Sequence, residues 1–145
     1  MLRGVLFLND KEPVQFMSTL GDQFKSLFRR RKTYIIPLEM AAVTVALRMF
    51  ATELRGARVT FYIDNAPVKC CLRKHRCKVE DVNRLLLFTI DIMEELGVVP
   101  NFKWVPSAWN VADGPSRGVP VKGARLLSCS RSVREVLEGL REVAA

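Results

Sequence analysis

Apolar and polar residues alternate along the first part of the chain in a pattern that predicts two strands and then a helix. Residues 4–8 and 13–17 are short, apolar and rich in β-forming side chains, and the turn-like residues 9–12 separate them. We therefore expect a β-hairpin. From Pro37 the apolar residues recur with a helical period, and Gly56 follows the last of them, which predicts a helix between these two residues.

The rest of the chain continues to alternate between strands and helices. The pattern predicts a strand over 58–63 that stops at Asp64, a short helix from Pro67 to about Lys74, a helix over 79–96 that stops at Gly97, a strand over 98–105, an irregular segment over 106–120 and a helix over 130–143. The order β, β, α, β, α, α, β, loop, α predicts an α/β domain with a mixed sheet.

Composition narrows the class of protein. The 145 residues are 49% hydrophobic, which is enough for one compact domain and excludes a disordered chain. Twenty-three Lys and Arg against fifteen Asp and Glu give a net charge of +8, which favours a polyanionic partner. No apolar stretch is long enough for a membrane span, and the first residues lack a signal-peptide cleavage site. We therefore expect an intracellular protein, in the cytoplasm or nucleus, that is not secreted.

Four cysteines, Cys70, Cys71, Cys77 and Cys129, are too few and too unevenly spaced for a disulfide framework in a domain of this size. We expect free thiols. Zinc ligation by Cys71, His75 and Cys77 is an alternative, although their spacing matches no familiar zinc motif.

Positive charge is concentrated in two segments. One is the run over residues 29–32, which is either a solvated loop or a phosphate contact. The other is the densest basic stretch of the chain, formed by Lys69, Arg73, Lys74, Arg76 and Lys78.

Three carboxylates occupy unusual places. Glu39 is expected in the first turn of an apolar helix, Asp64 at the end of an apolar strand, and Asp113 in a loop bounded by proline and glycine. Strand ends and helix starts converge at one edge of an α/β sheet, so the three could meet there. Each also has a structural explanation, namely the helix dipole for Glu39, a turn for Asp64 and a loop hydrogen bond for Asp113.

Residues 104–118, Trp-Val-Pro-Ser-Ala-Trp-Asn-Val-Ala-Asp-Gly-Pro-Ser-Arg-Gly, resemble the last active-site motif of ribonuclease H domains fused to retroelement reverse transcriptases. The form is especially similar to the hepadnaviral and tyrosine-recombinase-retroelement versions. Residues 38–42 resemble the helix that carries the family's glutamate, and residues 61–65 resemble the strand end that carries its aspartate. The resemblance covers residues 4 to about 118.

This resemblance implies a ribonuclease H-like mixed sheet flanked by helices over residues 1–125, followed by a C-terminal helix over 126–145. It implies hydrolysis of the RNA strand of RNA/DNA hybrids with two Mg²⁺ ions, or Mn²⁺ in their place, held by Glu39, Asp64 and Asp113. A polymerase domain upstream is an implied partner. The implied contacts to the nucleic acid are Asn65, Ser107, Asn110 and Arg117 for the 2′-hydroxyl groups, and Lys69, Arg73, Lys74 and Arg76 for the phosphates.

Two features depart from the family. The family's first strand and its aspartate have no counterpart here and are expected upstream of Met1, so that a gap or exposed edge is expected between the hairpin and the Asp64 strand. Asp10 lies in the hairpin turn and does not replace that aspartate. Residues 107–109 stand where many members carry a histidine. The activity of this chain is accordingly expected to be weak, and the alternative is an inactive ribonuclease H-fold fragment that binds nucleic acid or packs on a polymerase.

Overall fold

The computed structural model describes residues 2–8, 11–18, 21–106 and 123–144, which form a mixed α/β structure as the sequence predicted. The elements are β1 (Leu2–Leu6), β2 (Val14–Ser18), α1 (Asp22–Lys25), α2 (Ile35–Met49), α3 (Ala51–Leu54), β3 (Arg58–Ile63), α4 (Ala66–Lys74), α5 (Glu80–Leu96), β4 (Val99–Trp104), β5 (Arg125–Leu126) and α6 (Ser130–Ala144).

The described strands form two sheets instead of the single mixed sheet expected from the sequence. β1 pairs antiparallel with β2, which confirms the hairpin, and β2 pairs in parallel with the two-residue strand β5. β3 and β4 form a separate parallel pair, from Arg58 opposite Val99 to Ile63 opposite Trp104. The break between β1 and β3 confirms the expected gap, because no described strand joins them.

One hydrophobic core nevertheless serves both sheets. It includes Phe16 of β2 and Phe102 of β4, together with the buried faces of α2 and α5. Thr44 of α2 and Thr89 of α5 lie at the centre of this helix pair, with their hydroxyl oxygens 2.7 Å apart. The helix α6 packs against both α2 and α5. The helices connect the two sheets, since α2 packs against β1, α4 packs against β3 and β4, and α2 and α4 contact each other.

Local sequence explains where several helices end. Gly97 follows α5 in the left-handed conformation, with φ of 69°, which glycine adopts at little cost. At the start of α4 the Asn65 side chain accepts a hydrogen bond from the Val68 N–H (3.1 Å), and Pro67 occupies the first turn. His75 closes α4 with φ of 59°. The predicted short helix to Lys74 is therefore confirmed.

Other boundaries differ from the sequence expectation. The helix predicted from Pro37 begins at Ile35, because proline is tolerated in a first turn whose N–H groups have no partner within the helix. It is also divided at Phe50 into α2 and α3. The strand β5 was not foreseen, since two residues carry no periodicity. No helix among the described residues is long and apolar enough to cross a membrane.

Candidate metal and nucleic-acid site

Glu39 lies on α2, half-buried, and not in the first turn where the sequence analysis placed it. Because α2 starts at Ile35, Glu39 is its fifth residue. Charge interactions with a helix dipole fall off within the first turn, so the dipole is a poor explanation for an acid at this position.

Asp64 directly follows β3 and is also half-buried. Its carbonyl oxygen accepts a hydrogen bond from the Trp104 indole N–H (3.2 Å), which ties the end of β3 to the end of β4. The turn that was an alternative explanation for Asp64 uses the Asn65 side chain instead. Among the described residues the Asp64 carboxylate has no hydrogen bond or ion pair, so it remains available to a ligand.

A cavity of about 410 Å³ separates β1 from β3, and we call it the interstrand cavity. Residues 3–8 form one wall and residues 57–63 form the other. Its floor comes chiefly from α2, with Glu39, Ala42, Val43 and Ala46. Glu39 and Ile63, the residue before Asp64, therefore border the same space, whereas Asp64 itself does not line it.

The third carboxylate, Asp113, lies outside the described residues. Three of the four residues expected to contact 2′-hydroxyl groups, Ser107, Asn110 and Arg117, also lie outside them. Their placement therefore stays a prediction. The fourth, Asn65, uses its side-chain oxygen to cap α4, which leaves its amide nitrogen as the group that could contact a nucleic acid.

A second cavity, of about 900 Å³, lies between α4, the segment before α2 and the segment that joins α4 to α5, and we call it the basic cleft. Four cationic residues line it and no acidic residue does. They are Arg31, Lys74, Arg76 and Lys78. The structure thus gathers Lys74 and Arg76 at one opening, whereas Lys69 and Arg73 lie elsewhere on α4.

Sequence reasoning missed the ion pair between Arg31 and Asp81 at the border of this cleft (2.6 Å). Asp81 is buried and also accepts from the Arg29 backbone N–H (2.8 Å). Burial alone would raise the pKa of Asp81, but the hydrogen bonds from Arg31 and Arg29 outweigh it and lower this pKa. One member of the basic run is therefore held by a carboxylate, and no local signal could have shown this, because the partners are 50 residues apart.

All four cysteines are free thiols, and three of them, Cys70, Cys71 and Cys77, line the basic cleft. Burial raises the pKa of the Cys71 thiol to about 11, and its hydrogen bond with Cys77 acts in the same direction. A protonated thiol is a poor metal ligand. His75 is exposed, and the described part of the chain contains no group of three or more His, Cys, Asp or Glu side chains arranged to hold a metal ion.

Comparisons of the chain with protein-family models, with curated proteins and with solved structures found no match.

Proposed function

We propose that this chain is a ribonuclease H-type endonuclease domain of a reverse transcriptase, which hydrolyses the RNA strand of RNA/DNA hybrids by a two-metal mechanism. The observation that carries the proposal is the common position of Glu39 and the end of β3 at the interstrand cavity. These are two of the three positions that resemble the family's catalytic carboxylates.

The chemistry of these two residues suits Mg²⁺. Both supply hard carboxylate oxygens, which Mg²⁺ prefers. Both are half-buried, and the Asp64 carboxylate has no competing partner within the described residues. In the proposed site Glu39 and Asp64 would hold the metals with Asp113, and the bound ions would activate the attacking water and stabilise charge at the phosphorus.

The basic cleft supports the choice of substrate. Lys74, Arg76 and Lys78 in its lining can contact the phosphates of a nucleic acid, since no acidic residue lines the cleft beside them, whereas Arg31 is paired with Asp81. Glu39 and Asp64 would therefore have a different task from the cations of the cleft. The carboxylates would bind metal, and Lys74 and Arg76 would bind the hybrid.

A second candidate function is an inactive ribonuclease H fold that binds nucleic acid or packs on a polymerase. The open space between β1 and β3 favours it, since no described strand pairs with β1 or β3 on the side of this cavity. A site with one fewer carboxylate would hold its metals poorly.

Cleavage of an RNA/DNA hybrid with a labelled RNA strand distinguishes the two candidates. We expect feeble Mg²⁺-dependent cleavage by the 145-residue chain and stronger cleavage when a strand that bears an aspartate is joined ahead of residue 1. In that extended chain, Asp64→Asn should abolish cleavage and leave hybrid binding nearly intact, because the metals would be lost and not the phosphate contacts.

Asp91→Asn is the matched control, because Asp91 is exposed on α5 and should not affect cleavage. Cleavage that persists in Asp64→Asn would show that the site is misassigned. Binding without cleavage in the extended chain would instead support the inactive fold.

A further inference from the structure

Two cysteines from different segments of the chain meet in the lining of the basic cleft. Cys71 lies on α4, and Cys77 lies in the segment that joins α4 to α5. His75 ends α4 in the left-handed conformation, which turns the chain back towards the helix. The Cys77 N–H donates to the Asn83 side-chain oxygen (2.8 Å), which anchors Cys77 to the beginning of α5. This arrangement brings the Cys71 and Cys77 thiols into a hydrogen bond with each other.

Both thiols are accessible to a reactant, and their contact selects them as a pair. Cys71 and Cys77 are half-buried, and both border the cleft. Cys70 is exposed beside Cys71, but neighbouring residues of a helix point in different directions, so the two cannot both face Cys77. Cys129 is buried elsewhere, with its thiol near the Met17 carbonyl. Cys71 is therefore the cysteine placed to react with Cys77.

The charge around the two cysteines favours an anionic reactant. Lys74, Arg76 and Lys78 also line the cleft, and none of the described residues that line it is acidic. Reactive cysteines typically occupy electropositive, partly exposed surroundings of this kind. A small disulfide that carries carboxylates would be attracted to the cleft by these cations. The cleft therefore combines a pair of neighbouring thiols with a field that concentrates an anionic oxidant.

We propose that Cys71 and Cys77 form a redox-active dithiol site, which a small anionic disulfide such as glutathione disulfide converts reversibly into an intramolecular disulfide bond. Lys74 and Arg76 lie between the two cysteines in the sequence, so the bond would close a short loop that contains both. The oxidation state of the site would thereby constrain two of the cations that line the cleft. The proposal does not depend on the nuclease activity.

The exchange proceeds in two steps. The Cys77 thiolate attacks one sulfur of the oxidant, breaks its S–S bond and releases one glutathione thiolate, which takes up a proton. Cys71 then loses its proton to water, attacks the Cys77 sulfur and displaces the second glutathione, which also leaves as a thiol. The two cysteines lose two electrons and two protons, and the oxidant gains them. Burial raises the pKa of the Cys71 thiol to about 11, and its hydrogen bond with Cys77 acts in the same direction, so Cys71 is a poor first nucleophile and attacks second.

Mass spectrometry of the full chain tests the pairing. The reduced protein is incubated with glutathione disulfide, its remaining thiols are alkylated with N-ethylmaleimide under denaturing conditions, and it is digested with trypsin. Trypsin cleaves after lysine and arginine, so Cys77 falls on peptide 77–78 and the two cysteines of α4 fall on peptide 70–73. We expect these two peptides to be joined by a disulfide bond, with Cys70 alkylated. Excess reduced glutathione should restore the four free thiols.

Serine variants test the order of attack. Cys71→Ser should accumulate a mixed disulfide with glutathione on Cys77, because the second attack is removed. Cys77→Ser should form no intramolecular bond and should react at Cys71 at least about tenfold more slowly. Cys70→Ser is the control and should form the bond as the parent chain does. If a serine variant is unfolded by circular dichroism, fragmentation of the joined peptides from the parent chain still assigns the bonded sulfur atoms.

A neutral oxidant separates the effect of charge from the reactivity of the thiols. Lys78→Gln should slow the reaction with glutathione disulfide by about threefold and leave the reaction with hydroxyethyl disulfide unchanged, because only the first oxidant is anionic. Arg134→Gln, at an exposed position of α6 outside the cleft, should slow neither reaction. Equal rates with glutathione disulfide for Lys78→Gln and the parent chain would show that the cleft does not attract the oxidant.

Three other results would overturn the proposal. A disulfide bond that involves Cys70 within one chain would show that the contact between Cys71 and Cys77 does not select the pair. Mixed disulfides that persist on the parent chain would show that the two sulfur atoms cannot reach bonding distance. Disulfide-linked dimers on a non-reducing gel, with a yield that rises with protein concentration, would show that the oxidation is intermolecular. Each of these results leaves the cleavage test of the carboxylates unaffected.

Discussion

At the scale of single residues, Asp81 links two distant parts of the chain. It is buried at the start of α5, and it accepts hydrogen bonds from the Arg31 side chain and the Arg29 backbone. Glu80 next to it is exposed, and its carboxylate oxygen lies 3.4 Å from a guanidinium nitrogen of Arg29, in an ion pair that is also exposed. The neighbouring acids therefore differ greatly in what they contribute to the fold.

Asp81→Asn should lower the free energy of unfolding at pH 7 by about 2 kcal/mol, because it removes a charged acceptor and leaves the Arg31 guanidinium without its carboxylate. The pKa of Asp81 is lowered in the folded state, so its stabilisation is present above the ordinary value of 3.8 and is lost as the pH falls through the folded-state pKa. Urea unfolding of both proteins at several pH values should show the difference shrinking below about pH 4.

Glu80→Gln is the control, since its ion pairs are exposed and should change the stability by less than about 0.5 kcal/mol. An Asp81→Asn protein as stable as the parent at pH 7 would contradict the assignment of a stabilising pair.

At the scale of elements, α2 and α5 are joined by a polar contact inside an apolar interface. Each threonine hydroxyl also lies near a carbonyl of its own helix, Thr44 near Met40 (3.1 Å) and Thr89 near Leu85 (2.8 Å). Both side chains are fully buried. Since one hydroxyl proton can serve one strong acceptor at a time, one threonine donates to its own helix and the other donates across the interface.

Thr44→Val and Thr89→Val should each lower the free energy of unfolding by about 1 kcal/mol, because each removes the buried hydrogen bond between the two hydroxyl groups. The double variant should cost less than the sum, by a coupling energy of about 1 kcal/mol, because it removes both polar groups at nearly constant volume. Denaturant unfolding of the four proteins measures this coupling.

Thr52→Val, at an exposed position of α3, is the matched control and should change the stability by at most about 0.5 kcal/mol. Strict additivity of the two buried substitutions would show that the hydroxyls do not interact.

At the scale of the whole molecule, the cationic side chains behind the net charge of +8 differ in whether an acidic residue neutralises them. Part of the positive charge is neutralised locally, as in the Arg31 pair, and part faces the basic cleft without an acidic neighbour in the lining. A polyanion that binds there would release counterions in proportion to the phosphates contacted. Hybrid binding should therefore depend steeply on salt.

Lys74→Gln and Arg76→Gln should each reduce the slope of log K against log salt by about 1, as expected for the loss of one phosphate contact. Fluorescence anisotropy with a labelled RNA/DNA hybrid between about 50 and 200 mM salt measures the slope. Arg134→Gln on α6 should leave it unchanged, because Arg134 is exposed outside the cleft. Equal slopes for all the proteins would place the hybrid elsewhere.

The elements that the sequence predicted well are those whose signals are local. The strand β3 begins and ends where its alternation does, and α5 stops at Gly97, where a left-handed residue is needed. Short-range signals failed where the pattern was ambiguous. Ile35 and Ile36 fit a strand or a helix equally, so the start of α2 was placed two residues late. Glu39 and Asp64 were predicted as site residues from the resemblance, but the cavity that Glu39 borders was not predicted. The two residues are separated by 24 intervening residues, and local signals do not report how distant segments pack.

The sequence by itself determined the α/β class, the hairpin, the principal helices and the basic character, because periodicity, turn residues and charge act over a few neighbouring positions. Tertiary structure alone decided that the described strands form two separate sheets, that Glu39 borders the cavity between β1 and β3 together with the end of β3, and that Asp81 holds Arg31. These features depend on which distant segments pack together, and that is set by the shared core of α2 and α5 and by the backbone hydrogen bonds that the packed strands can reach.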